Sequence, residues 1–233
     1  MTDSFMLLPE ERVSFKASFQ IMEKRRKKLK VARKKQASPD ISVRNRLLSA
    51  ATELFSSKGY SATATREIVT AAGVTKPVLY YYFRNKEGIY LELMREAFTK
   101  LDTLLDASRS QRGSATQRLL RLLDQVFTLF LENIPSATLM FNIYYGPPQG
   151  APFFDFDAYF LKFEETIRRL IKIGIQQGEF KKGSVEDMMW LILGAVNVAT
   201  NAQLFHTKRG MNRGRLARML KLIFQGFLTQ RGR

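Results

Sequence analysis

The chain has 233 residues, 45% of them apolar, a formal net charge of +17, no cysteine and one histidine, His206. The apolar share is enough for a core, while the missing thiols exclude disulfide frameworks, thiolate metal sites and cysteine nucleophiles, and any Ser-His-Asp triad would have to run through His206. So large a positive excess points to a polyanion as partner.

Residues 1–40 read as a basic N-terminal extension. The opening MTDSFMLLPEE has neither a basic lead nor a cleavage site, so no signal peptide is expected. Phe15, Phe19, Met22 and Leu29 would line a helix stripe, but Glu23–Lys35, with nine basic residues and one acidic, dilutes it. Three readings of that run stand: an arm that adds phosphate or minor-groove contacts, a solvated helix, or a true start at Met22. Ser38-Pro39-Asp40 closes the segment.

From Ile41 the texture changes. Val43, Leu47, Ala50, Ala51, Leu54 and Phe55 recur at three and four, which predicts an amphipathic helix ended by SKGYSATA. A short helix follows over Arg66–Ala72. Gly73-Val74 makes a tight turn, Thr75 is placed to cap a third helix with Pro77 in its first turn, and that helix runs through Phe83. Asn85 caps a fourth, longer helix from Lys86 to Ser108. Further helices are predicted over Ser114–Asn133, Ser136–Tyr145, Asp155–Gln177, Val185–His206 and Gly214–Thr229, with glycine, proline and polar clusters between them. Ser184 with Asp187 is close to a capping box. No stretch alternates with period two for long enough to be a strand. Met188–Phe205 is apolar but carries Asn197, Thr200, Asn201 and Gln203, so a buried helix is expected and not a membrane span. The fold class is all-α, and the protein is expected to be cytoplasmic.

Two short helices across a glycine turn make a helix-turn-helix. Ile68, Ala72, Val74, Leu79 and Phe83 are expected to pack on Leu47, Ala51, Leu54 and Phe55. Lys76, Pro77, Tyr80 and Tyr82 then point outward, and Tyr81 is expected to pack sideways against the next helix. Such a face enters the major groove, where tyrosine hydroxyls reach phosphates and the rings meet thymine methyls.

Ala50–Leu93, with its LF…KGY, TREI, AAGVTKPVLYYYF and NKEGIYLEL, resembles the DNA-binding segment of the tetracycline-repressor (TetR) family of bacterial transcription regulators. The resemblance implies an N-terminal three-helix DNA-binding domain (41–95) joined to a larger helical domain for effector binding and dimerisation (96–233). It implies that Thr65 and Arg66 touch phosphate or a base. Thr75, Lys76, Pro77, Val78, Tyr80 and Tyr82 form the groove face, and Lys86 holds a phosphate. The sequence departs from the family pattern at Ala64, where a capping Ser or Thr is usual, and at Val69, where Ala is usual; Thr63 or Thr65 is expected to take over the cap.

Phe141–Phe163 holds nine aromatics in twenty-three residues. One reading is packing. The other is the wall of an effector pocket, with Phe141, Tyr144, Tyr145, Tyr159, Phe163, Trp190 and Asn197 as its lining. In the last two helices, Gly194, Ala195, Ala199 and Ala202 would permit close approach across a two-fold interface, or equally an internal crossing. Glu164 and Glu165 are neighbours that diverge on a helix, and no glycine-rich phosphate loop is present, so no enzyme, cofactor or metal is expected. The whole reads as a homodimeric repressor released from a roughly palindromic operator in double-stranded DNA by a small apolar or aromatic effector. The alternative is a protein of the same fold without an effector, an activator or architectural factor.

Overall fold

The computed structural model describes residues 43–205 and 211–229. The basic run of the extension and His206 lie outside them. Among the described residues every regular element is a helix: α1 (Val43–Lys58), α2 (Thr65–Ala72), α3 (Lys76–Phe83), α4 (Lys86–Ser110), α5 (Ala115–Glu132), α6 (Ile134–Tyr144), α7 (Phe156–Gln176), α8 (Val185–Phe205) and α9 (Arg213–Phe227). The one β pairing among them is a single antiparallel bridge, Phe180 to Leu228. The all-α expectation is met. The residues from Arg46 onward form one compact unit.

Local chemistry sets the boundaries. Gly73 sits at φ 65°, and the N–H groups of Gly73 and Val74 return to the carbonyls of Thr70 and Val69. This is a Schellman ending, which needs a left-handed residue at the glycine. At the start of α2, neither Thr63 nor Thr65 takes over the cap. The Thr63 hydroxyl donates back to the Gly59 carbonyl instead, at 2.8 Å. Glu67 closes the helix start by accepting from the Ala64 N–H at 2.8 Å. Lys58 first, and that backbone bond second, hold the Glu67 carboxyl below its usual range. Val69 is accommodated in the core. Asn85 caps α4 as its sequence position predicts, accepting from Gly88 N–H at 2.7 Å.

The larger core gathers Leu105 of α4, Leu119, Leu122, Leu123 and Phe127 of α5, and Ile167, Leu170 and Ile171 of α7. Met189, Ile192 and Ala199 of α8 and Leu216, Leu220 and Phe224 of α9 complete it. Each fully buried Leu, Ile or Phe side chain stabilises the fold by about 1.5–3 kcal/mol relative to exposure. Gly174 of α7 lets the Phe180 ring approach the helix closely, since a Cβ there would fall 2.3 Å from it. α6 begins at Ile134, earlier than the sequence suggested, because Pro135 fits the first turn of a helix. α5 and α6 meet at 93°. α8 is long and apolar enough to cross a membrane by length and composition, but Met189, Ile192, Ala195 and Ala199 are buried among the neighbouring helices.

Candidate nucleic-acid interface and effector cavity

α3 has a core side and an outer side. Leu79 and Phe83 are buried, so their midline fixes the inward direction. At about 100° per residue, Tyr81 falls directly opposite that midline, and Tyr80 and Tyr82 fall about 80° to either side. The exposures follow this arithmetic: Tyr81 is 83% exposed, Tyr80 48% and Tyr82 42%. The expectation that Tyr81 packs sideways against the next helix is therefore corrected. It is the most outward of the three, its ring edge-on to Tyr82 at 5.1 Å. Helix phase taken from Leu79 and Phe83 was the signal that would have found it.

Thr75, Lys76 and Pro77 are exposed at the start of α3, and Val78 is half-buried. Arg66 is exposed at the start of α2, beside the half-buried Thr65. The three tyrosines are thus exposed around the outer half of α3, with Lys76 and Pro77 exposed at its start.

Lys86, expected to hold a phosphate, makes contacts within the protein. Its ammonium donates to the carbonyls of Tyr60 at 3.0 Å and Thr63 at 3.1 Å, and lies 4.2 Å from the centre of the Tyr60 ring. Burial pushes its pKa down. Two of its three N–H donors are turned inward, holding the α1–α2 connection onto α4.

The joint between α3 and α4 is tight. Arg84 is at φ 63° and ψ −43°, and the Asn85 N–H returns to the Phe83 carbonyl at 2.7 Å, closing a γ-turn of a strained kind. The Phe83 carbonyl also crowds the first turn of α4. A Cβ at Gly88 would lie 2.0 Å from its oxygen, so only glycine fits there.

A cavity of about 190 Å³ opens between α4, α5, α6, α7 and α8. Met94, Phe98 and Leu101 line it from α4, Val126, Leu129 and Phe130 from α5, Ala137 and Met140 from α6, and Phe160 and Phe163 from α7. Its polar lining is Asn133, Ser136 and Thr200, with no charged side chain. Lys162, bonded to Asp102 at 2.6 Å and Asp106 at 3.2 Å, ties α7 to α4 beside it.

Of the seven residues expected to line a pocket, the structure brings Phe163 to this cavity and leaves six elsewhere. Tyr159 stands behind it, packed on Phe98 at 4.6 Å. Phe141 packs on Tyr145 and Phe205. Tyr144 is hydrogen-bonded to Asp157, which raises its pKa to about 12. Tyr145, Trp190 and Asn197 are exposed. The aromatic segment is mostly packing: Phe154, Phe156, Tyr159 and Phe160 gather on Phe98. The lining from α4, α5 and α6 was missed because single apolar residues in amphipathic helices read as ordinary core.

The small residues of α8 are corrected as well. Ala195, Ala199 and Ala202 are buried inside the protomer, so they serve internal crossings; Gly194 is exposed. The outward side of α8 carries Trp190, Leu191, Gly194 and Val198, and that of α9 carries Leu222.

Residues 47–93 match the family model for bacterial regulatory proteins of the tetR family. That segment is similar to the DNA-binding part of the tetR family. Over 112 residues it is 35% identical to the HTH-type transcriptional activator FasR of Mycolicibacterium smegmatis, a match that covers 46% of this chain and 50% of FasR. The match spans about half the length of the first curated relatives. Among solved structures, the TetR-family regulator PfmR of Thermus thermophilus superposes with a TM-score of 0.63 at 26% identity, covering 77% of this chain and 97% of that one. FadR of Bacillus subtilis, solved with stearoyl-CoA, superposes at 0.60 and 20% identity over 78% of this chain and 97% of its own, a likeness of fold alone. The tetR-family match covers α1 from Leu47 through the first turns of α4, the segment that contains the tyrosine-bearing surface.

Proposed function

We propose that this protein is a cytoplasmic, homodimeric transcription repressor of the tetR family that binds a roughly palindromic operator in duplex DNA and is released by a small, uncharged, apolar effector. No catalysis, cofactor or membrane is part of this reading. Residues 41–95 act as the reading head and 96–233 as the effector and pairing domain. The observation that carries the proposal is the outer side of α3, where Lys76, Pro77, Tyr80, Tyr81 and Tyr82 are exposed around a helix anchored by Leu79 and Phe83. Lysine and arginine supply the phosphate attraction, and tyrosine rings and hydroxyls meet base edges and sugars. Lys86 is left out of the contact set, two of its donors being bonded to the Tyr60 and Thr63 carbonyls.

The cavity supports the effector half. An apolar cavity of about 150 Å³ accommodates benzene, so 190 Å³ takes a molecule only somewhat larger before helices must move. A longer apolar chain would part α6 from α4 and α7, with Met94 and Met140 re-packing around it. A charged ligand has no partner in the lining. Two copies pair through the exposed apolar sides of α8 and α9, Trp190, Leu191, Gly194, Val198 and Leu222, a surface that would otherwise stay wet. The same fold without an effector is favoured only if the cavity stays empty of every apolar compound tried.

The test is footprinting on DNA flanking the protein's own gene, followed by a screen of uncharged lipophilic compounds for release. A protected palindromic site that disappears with one class of compound supports the reading. Protection that no compound relieves overturns the effector half, and no protection overturns the whole.

A further inference from the structure

Gln149 is half-buried on the connection between α6 and α7. Its side-chain amide makes two hydrogen bonds of opposite sense. Oε1 accepts from the Tyr60 N–H at 2.9 Å, and Nε2 donates to the Asn142 carbonyl at 3.3 Å. Tyr60 lies on the α1–α2 connection, inside the segment that matches the tetR family. Asn142 is in the last turn of α6, the helix that lines the cavity through Ser136, Ala137 and Met140. One side chain therefore joins the reading head to a cavity wall.

The surroundings are built for that approach. Gly59 is at φ 90°, and a Cβ on it would fall 2.7 Å from the Gln149 Oε1. Glycine is needed there both for the backbone and to admit the amide. Tyr60 is fixed on its other sides. Its carbonyl accepts from Lys86, and its ring packs on Phe55 at 5.3 Å and Tyr90 at 5.2 Å. Hydrogen bonds fade steeply beyond about 3.5 Å. The longer bond can follow α6 over a few tenths of an ångström before it fails, and over that range a shift of α6 draws the amide with it and away from Tyr60.

We propose that Gln149 is a positioning residue that couples the cavity to the reading head, reporting the place of α6 to the Tyr60 backbone. The coupling rests on the reading of the cavity as an effector site. With the cavity empty, Gln149 holds the Tyr60 N–H and Lys86 the Tyr60 carbonyl. An occupant that moves α6 removes the Gln149 hold and leaves that of Lys86, so the segment leading into α2 loosens. This route runs beside the continuous helix α4 and does not require α4 to bend.

The experiment uses the full chain and reads hydrogen exchange at the Tyr60 amide, with Ile192 in the buried part of α8 as reference. Gln149→Ala removes both bonds; Gln149→Glu keeps an acceptor for Tyr60 and loses the donor to Asn142. Tyr60 exchange is expected to rise roughly three- to tenfold in Gln149→Ala, the worth of one ordinary hydrogen bond, and to stay near the parent in Gln149→Glu. Ala137→Phe adds bulk to the cavity from α6. It is expected to speed Tyr60 exchange in the parent and to lose that effect in the Gln149→Glu background. Saturating naphthalene, added to the folded parent and to Gln149→Glu, gives the same comparison if Ala137→Phe does not fold. Unchanged exchange in Gln149→Ala overturns the proposal. So does equal acceleration at Ile192, no response to either cavity perturbation, or a response that persists in Gln149→Glu. If the exchange pattern holds but no DNA is protected in footprints, the coupling stands and the repressor reading falls.

Discussion

The Lys86 ammonium lies 3.0 Å from the Tyr60 carbonyl oxygen and 4.2 Å from the centre of the same residue's ring. A cation held this way works as a strut inside the head. Lys86→Ala is expected to cost about 1 kcal/mol in urea unfolding, from the lost charged hydrogen bonds and ring contact. The salt slope of DNA binding should stay as it is. A lysine on a phosphate would instead lower that slope by about 0.9, so binding measured over a range of salt separates the two roles.

Tyr81 points straight away from Leu79 and Phe83, and its ring is solvated. Tyr81→Ala is expected to leave thermal stability within about 0.5 kcal/mol of the parent, while weakening operator binding roughly tenfold. Tyr81→Phe tells hydroxyl from ring: a loss as large as that of Tyr81→Ala would assign the contact to the hydroxyl, on a phosphate or base edge.

The γ-turn at Arg84 and the crowding at Gly88 make opposite predictions for neighbouring sites. Gly88→Ala forces a methyl to 2.0 Å from the Phe83 carbonyl oxygen, so α3 and α4 must separate. A loss of about 2 kcal/mol or more is expected, on the scale of core overpacking. Arg84→Gly relieves a positive φ that costs a residue with a side chain about 1–2 kcal/mol, and should raise the melting temperature. Calorimetry on both variants tests the pair.

Glu179 caps α5 from a distance, accepting from the Ala115 N–H at 2.7 Å and the Thr116 N–H at 3.0 Å. Burial opposes its charge, but the bonds from Thr116, Ser114 and Ala115 outweigh it and hold the carboxyl below its ordinary 4.5. A depressed carboxyl contributes stability that is complete above its unfolded pKa and is lost as pH falls through its folded one. The parent is expected to lose stability below about pH 4.5, and Glu179→Gln to show a shallower acid limb in denaturant titrations at several pH values.

The proposed pairing through α8 and α9 would cover Trp190, which is 60% exposed. Trp190→Arg is expected to shift the protein from dimer to monomer in sedimentation, with a parent-like circular dichroism spectrum. Ala199→Arg, by contrast, should unfold the protomer, because Ala199 is fully buried.

Much of this architecture was written in local chemistry. Gly73, Pro77 and Asn85 mark turns and helix starts because their backbone preferences act within a few residues. The two faces of α3 were partly legible: Leu79 and Phe83 were placed inward, but Tyr81 was misplaced for want of the phase they define. α8 resisted for a different reason. Ile192, Ala195, Ala199 and Ala202 share one stripe, and Trp190, Leu191, Gly194 and Val198 form another that is also apolar. Periodicity finds both and cannot say which meets the protomer's own core. The bond from Gln149 to Tyr60 spans 89 residues, and no local pattern in a loop glutamine announces such a partner. The cavity was hidden for the same reason, since a void depends on how five helices meet.

The most direct test is a footprint of the parent and of a Lys76→Ala/Tyr80→Ala/Tyr81→Ala triple variant on DNA flanking the gene, with the variant's fold checked by circular dichroism. The account predicts a protected site of two related halves, about 34–36 Å or a multiple of that apart, and no protection by the folded variant. Equal protection by the variant would show that the outer side of α3 is not what reads the DNA.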